Sequence, residues 1–210
     1  MNLDSMRTVV RRDLHDEDSA AYRWTDAELD RHIGRAVTEF SEAIPLEQRA
    51  DIATTAGTRE IDLSSLTGRV MVEAVEYPIG QYPPAYQRFA LWGDVLTVLG
   101  DAIPDGSNAR VYYGKLHTMD VSASTVPAKY EDLIAGGAAG FAAIEWAAYA
   151  VNKVNIGGDK TPQALMDWGK EQLTVFRSEL KRLNMRNRVR LRTLYRPLYP
   201  VRSRTTDYGP

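Results

Sequence analysis

Apolar residues over the first part of the chain recur every three or four positions. Leu3, Met6, Val10 and Leu14 share one face, which predicts a short amphipathic helix over residues 3–14. The stretch DLHDEDSAAYR then reads as a polar connection. In WTDAELDRHIGRAVTEFSEAI, Thr25 is placed as an N-cap and Glu28, three residues on, completes a capping box. Trp24 and Leu29 occupy the two positions of a hydrophobic staple. Leu29, Ile33, Ala36, Val37, Phe40 and Ile44 make the apolar face of this second helix, and Pro45 ends it.

From about residue 57 the period changes to two. TREIDLSS alternates Ile61 and Leu63 with polar neighbours, and RVMVEAVEY (69–77) is rich in β-branched residues. RFALWGDVLTVLG (88–100) predicts two strands joined at Gly93-Asp94, a two-residue turn with glycine first. ARVYYGKL (109–116) predicts another strand. PIGQYPPAY (78–86), with three prolines, cannot be a central strand and reads as an exposed loop. Residues 57–120 are therefore expected to hold four or five antiparallel strands, as a small sheet or open barrel.

Helix returns at Pro127, a good first-turn residue. The long apolar segment that follows carries Gly136, Gly140, Ala143 and Ala147 at i, i+4, i+7 and i+11. Such a stripe lets another backbone approach closely, either inside the protein's own core or at a subunit contact. Residues 135–151 are short for a membrane span and include Glu145, which is costly in lipid, so they read as a buried helix. NIGGDK is the turn. Thr161 and Pro162 start a last helix with Leu165, Trp168, Leu173, Phe176, Leu180 and Leu183 on its apolar face. The organisation is thus α+β: N-terminal bundle helices (1–56), a β insertion (57–120), C-terminal bundle helices (121–185) and an extended arm (186–210). About four helices make the bundle.

Composition alters this picture mainly through charge. The chain has 26 basic and 28 acidic residues, yet residues 186–210 hold seven arginines against Asp207 alone. An acidic body therefore carries a basic arm. Cysteine is absent, which removes disulfides and thiolate metal sites. The N-terminus has no apolar core of a secretory signal, so a soluble protein made in the cytoplasm is expected.

Catalytic chemistry finds little support. GGDKT (157–161) lacks both glycines of a phosphate loop that its lysine would require. His15, His32 and His117 lie in separate segments without metal-ligand spacing, and His32 reads as a partly exposed surface residue. Asp13, Asp16, Glu17 and Asp18 read as a solvated turn rather than a cation loop. Glu145, inside an apolar helix, is expected at a subunit contact facing an arginine. No catalytic, cofactor or metal residue is assigned, and an enzyme is not expected.

In the arm, Arg186, Arg188, Arg190 and Arg192 alternate with Asn187, Val189 and Leu191, the period of an extended strand. Leu194, Tyr195, Leu198, Tyr199 and Val201 follow, with Pro197 and Pro200 opposing helix. A solvated tail, a nucleic-acid-binding arm and a docking arm that adds a strand to a partner all fit the charge. The regular apolar positions favour docking to a protein.

Several segments together resemble the head-to-tail adaptor (connector) proteins of tailed bacteriophages. They are YRWTDAELDRHIGRAVTEF, the strands around VEAVEYP and FALWGDVLTV, VYYGKLHTMD, and STVPAKYEDLIAGGAAGFAAIEW. The likeness runs over nearly the whole chain in order and type of element. It implies a virion structural protein at the head–tail interface that forms a ring, usually twelvefold, beneath the portal. The portal protein, a next tail component (stopper or tail tube) and further copies of the chain would be its partners. Genomic DNA would pass through the channel without specific binding, and no membrane is implied. By this resemblance Arg186, Arg188, Val189, Arg190, Leu191, Arg192, Leu194, Tyr195, Arg196, Tyr199, Arg202, Arg204 and Tyr208 belong to a portal-binding arm. Gly136, Gly140, Ala143, Glu145 and Ala147 would serve helix packing or subunit contact. The alternative is a nucleic-acid-binding protein that uses the same arginines.

Overall fold

A computed structural model describes residues 1–100, 102–150 and 162–194, with side chains as far as residue 185. Its elements are α1 (Leu3–Asp13), α2 (Asp26–Ala43), β1 (Leu46–Ala53), β2 (Glu60–Asp62), β3 (Arg69–Glu76), β4 (Tyr86–Gln87), β5 (Phe89–Trp92), β6 (Val95–Val98), β7 (Asn108–Lys115), α3 (Glu131–Ala150) and α4 (Pro162–Leu194). A single 3₁₀ turn, Ala128–Tyr130, leads into α3. The class is α+β, as the periodicity predicts.

The chain divides into two compact units. The helical unit comprises Met1–Gln48, Thr67–Met71 and Tyr113–Asn184, and the β unit is built on Arg49–Leu66 and Val72–Tyr112. β1, β3 and β7 each contribute residues to both.

In the helical unit the predicted starts hold. Thr25 accepts from the Glu28 N–H while the Glu28 carboxylate accepts from the Thr25 N–H at 2.7 Å, so the capping box is complete. Trp24 and Leu29 are both buried, as a staple requires. Met6, Val10, Leu29, Ile33, Ala36 and Phe40 form the inner faces of α1 and α2, and Ile134, Ala138, Ala139 and Phe176 meet them in one core. Trp24 is buried too, its Nε1–H donating to the Ala142 carbonyl at 3.3 Å. α3 is apolar and long enough to cross a membrane by composition, but eleven of its twenty residues are buried in this protein core.

Behind Pro45 the sequence expectation needs correction. Residues 46–53, assigned to the bundle, form strand β1. Ile44 has already left helical geometry, at φ −135° and ψ 86°, and the chain continues extended from there. With Ala50 and Ile52 half-buried and Arg49, Asp51 and Ala53 exposed, the strand shows a period of two over its second half only.

The strands form two sheets rather than one. One has the order β1-β7-β3-β4 and the other β2-β6-β5. In the smaller sheet, antiparallel pairing sets Ile61 opposite Leu96 and Phe89 opposite Val98. Ile61, Leu63, Leu96 and Val98 are buried. Gly93-Asp94 is the tight turn between β5 and β6, and Gly93 adopts φ +58°, a conformation that glycine enters without a Cβ penalty. The proline-rich stretch is an exposed loop that ends in the two-residue strand β4 at the sheet margin.

Candidate functional site

The glycine and alanine stripe of α3 faces α4 of the same chain. A Cβ added at Gly140 would lie 3.1 Å from the Gly169 carbonyl oxygen, and one added at Gly169 would lie 3.0 Å from the Gly140 carbonyl oxygen. Ala143 borders the same contact at 3.2 Å, and Gly136 looks toward Gln172. Gly137, beside the predicted stripe, accommodates the Phe176 ring. Ala147 is buried. Of the two uses the stripe permits, Gly136, Gly140 and Ala143 serve packing within the chain.

Glu145 is exposed, and it faces an arginine of its own chain, Arg31 of α2. The helical wheel explains this: with Ala142, Ala143 and Ala147 turned inward, Glu145 falls on the outer flank. His32, expected near the surface, is 4% exposed, and its Nε2 lies 3.2 Å from Glu145 Oε2 without hydrogen-bond geometry. Burial pushes the His32 imidazole below its ordinary pKa, and the Glu145 charge opposes that.

The acidic run likewise separates into different roles. Asp16 is buried and structural: its carboxylate accepts from Arg11 at 2.8 Å and from the Arg23 N–H at 2.8 Å. Arg11 also donates to the Trp24 carbonyl and to Asp26, and its guanidinium stacks 3.6 Å from the Tyr22 ring centroid. Thus the α1–α2 connection closes round one arginine. Glu17 and Asp18 are exposed, as a solvated turn requires. Asp13 lines a cavity of about 240 Å³ together with Leu14, Arg23, Trp146, Leu165 and Trp168. Burial raises the Asp13 carboxyl above its usual range, Asp132 adds to this, and Arg12 and His15 oppose it.

His117 links the end of α2 to the approach to α3. Its ring nitrogens lie 3.0 Å from the Thr125 carbonyl and 3.1 Å from the Ile44 carbonyl, and its backbone N–H donates to Ser41 Oγ. Burial lowers its pKa, and the two carbonyl contacts pull the other way.

In the β unit, Tyr77 and Arg110 organise polar clusters. The Tyr77 hydroxyl donates to Asp105 at 2.7 Å and accepts from the Asp105 N–H. The Ser107 N–H, the Tyr77 hydroxyl and the Ser107 hydroxyl hold the Asp105 carboxyl down to about 2. Arg110 makes a bidentate pair with Asp51 at 2.7 and 2.9 Å. The Tyr112 hydroxyl donates to Glu76, and burial with that neighbour raises its pKa. By contrast, two large aromatics of this unit face solvent: Tyr82 is 94% exposed and Trp92 89% exposed. Both stood inside segments assigned to a loop and a hairpin. Their exposure was readable only as a position beside turn residues.

The arm needs the largest revision. α4 does not end at Met185; its backbone is helical through Leu194. Arg186, Arg188, Val189, Arg190, Leu191, Arg192 and Leu194 therefore belong to a helix and not to an extended strand. Arginine and leucine are strong helix formers, and no proline intervenes before Pro197, so propensity overrides a short period-two pattern. Tyr195, Arg196, Tyr199, Arg202, Arg204 and Tyr208 lie outside the described residues, as do Thr161 and the GGDKT stretch.

Among the described residues, no group of three or more His, Asp or Glu side chains is arranged to hold a metal ion. No protein-family model and no curated protein matches the chain.

Proposed function

We propose that the chain is a non-catalytic structural adaptor of a tailed-phage virion, seated between the portal and the next tail component. The observation that carries this reading is the build of the β unit, which leaves Trp92 and Tyr82 almost wholly in solvent. Large aromatics exposed in this way are typical anchors at protein–protein contacts. The resemblance of the helical and strand segments to adaptor proteins supplies the partner class. On this reading copies of the chain form a ring, twelvefold by analogy, around a channel that DNA crosses without specific contacts. The basic C-terminal segment engages the portal.

The test is cosedimentation with the portal oligomer, using full-length protein and two truncations. One ends after Leu194 and keeps α4 whole; the other ends after Met185 and removes its last turns. Loss of binding with either truncation supports portal docking through the basic end. Absence of binding by the full-length protein would sink the adaptor reading.

The seven arginines of residues 186–210 favour a second reading, nucleic-acid binding. Duplex DNA titrated at rising salt separates the two, because phosphate contacts release counterions and affinity must fall steeply.

A further inference from the structure

We propose that the cavity at the junction of α1, α3 and α4 is a binding site for an aromatic ring joined through a short chain to a carboxylate. The site lies wholly within the helical unit and is independent of the adaptor reading. Its volume is about 240 Å³. A dry cavity of about 150 Å³ is enough to take benzene, so this one has room for a ring and a two- or three-atom tether. Trp146 of α3 and Trp168 and Leu165 of α4 line it, and Leu14, the C-cap of α1, adds a further apolar surface. Both indoles are only half-buried, so part of their surface is left for a ligand.

The polar lining selects the ligand's charge. Arg23 and Asp13 both reach the cavity. Asp13 lies beside Arg12 and His15, and His15 lines the cavity as well, so two basic side chains flank the one carboxylate there. Arg23 has no carboxylate partner among the described residues, although its backbone N–H is held by Asp16. Its guanidinium sits 5.4 Å from the Trp146 ring centroid, so that indole face already has a cation and would repel a second one. An anionic group beside Arg23 completes the arrangement, while the ring stacks or packs against the tryptophans.

Two sources could supply this chemistry: a free aryl acid, or a partner protein's aromatic residue next to an acidic one. The experiment uses the full chain and three probes of matched size: 3-phenylpropionate, 3-phenylpropanol and 3-phenylpropylamine. Binding is followed by calorimetry and by the indole ¹H–¹⁵N resonances. The acid is expected to bind most tightly, in the high-micromolar to millimolar range appropriate to so small a ligand. It should shift the Trp146 and Trp168 resonances and leave Trp92 unmoved. Arg23→Gln should weaken the acid about threefold, as for a partly exposed ion pair, and leave the alcohol unchanged. Ala164→Phe, a change at an exposed position on the rim, should fill the cavity and abolish binding of all three while the helical content stays native. A blocked Glu-Phe-Gly peptide that binds more tightly than the free acid would assign the site to a protein partner; the reverse order would assign it to a small molecule. Equal binding of acid and amine, preference for the amine, or no shift of the two indoles by any probe would overturn the proposal.

Discussion

Replacing Gly169 with valine should separate α4 from α3. A Cβ at that position would stand 2.9 Å from Ile144 Cγ1, 3.0 Å from the Gly140 carbonyl oxygen and 3.2 Å from the Ala143 Cβ. Ordinary contacts of this kind lie near 3.5–4.0 Å, so the three neighbours are about 0.3 to 0.6 Å inside even the near edge of that range. Overpacking by a methyl group costs about 1–3 kcal/mol, against which alanine regains about 1 kcal/mol of helix propensity. Gly169→Ala should therefore fall between neutral and about 2 kcal/mol destabilising. Valine adds two further methyls and loses side-chain freedom in the helix, so about 3 kcal/mol is expected. For a chain of this size that corresponds to a drop in Tm of roughly 6–12 °C. Gly34, in the middle of α2, is the control: nothing lies within 4 Å of its would-be Cβ. Gly34→Ala should raise Tm by about 2–4 °C through propensity alone. Thermal unfolding followed by circular dichroism at 222 nm reads both. A Gly169→Val protein melting within a degree of the parent would refute the close approach of α3 and α4. A Gly34→Ala protein that melted lower would refute the propensity argument.

Two further outcomes follow from the polar groups of the helical unit. Asp16→Ala takes one carboxylate from the buried Arg11 guanidinium, which keeps Asp26 and the Trp24 carbonyl, and leaves the Arg23 N–H without its acceptor; it should cost about 2 kcal/mol in urea unfolding, with Asp16→Asn losing less, and a loss below about 0.5 kcal/mol would show the cluster is dispensable. His32 and His117 both have folded-state pKa values below the ordinary histidine value, mainly because of burial. The unfolded chain therefore binds protons first, and stability present above about pH 6.5 should decline as pH falls toward the two folded-state values. Urea midpoints between pH 7.5 and 5 should show that slope in the parent and a shallower one in His32→Gln. An identical slope in the variant would remove His32 from the account.

How much of this was legible in the sequence depends on the kind of signal. The capping box at Thr25–Glu28, the Gly93-Asp94 hairpin and the start of α4 at Pro162 were readable because local backbone chemistry decides them. Ile61 and Leu63 were readable as inward-facing because period two persists around them. β1 was missed because its first half, Leu46 to Arg49, does not alternate and Pro45 marks only where a helix stops. The arginines after Met185 were misread as extended because alternation of long residues over seven positions competes with helix propensity, and α4 already had its direction. His32 and Asp16 were placed at the surface on residue type. Each is instead buried beside a partner distant in sequence or across a turn, Glu145 for one and Arg11 for the other, and no local pattern encodes that pairing. The stripe on α3 could be recognised as small, but only the position of Gly169 says what it faces.

The exposure of Trp92 has a spectroscopic consequence. Of the four tryptophans, Trp24, Trp146 and Trp168 belong to the helical unit, and Trp92 stands by itself in the β unit. A collisional quencher such as iodide should reach the solvated indole first and spare the buried Trp24. Its red-shifted emission is then a built-in reporter of the β unit, and any partner that covers the β5–β6 turn should blue-shift it and protect it from quenching without disturbing the other three.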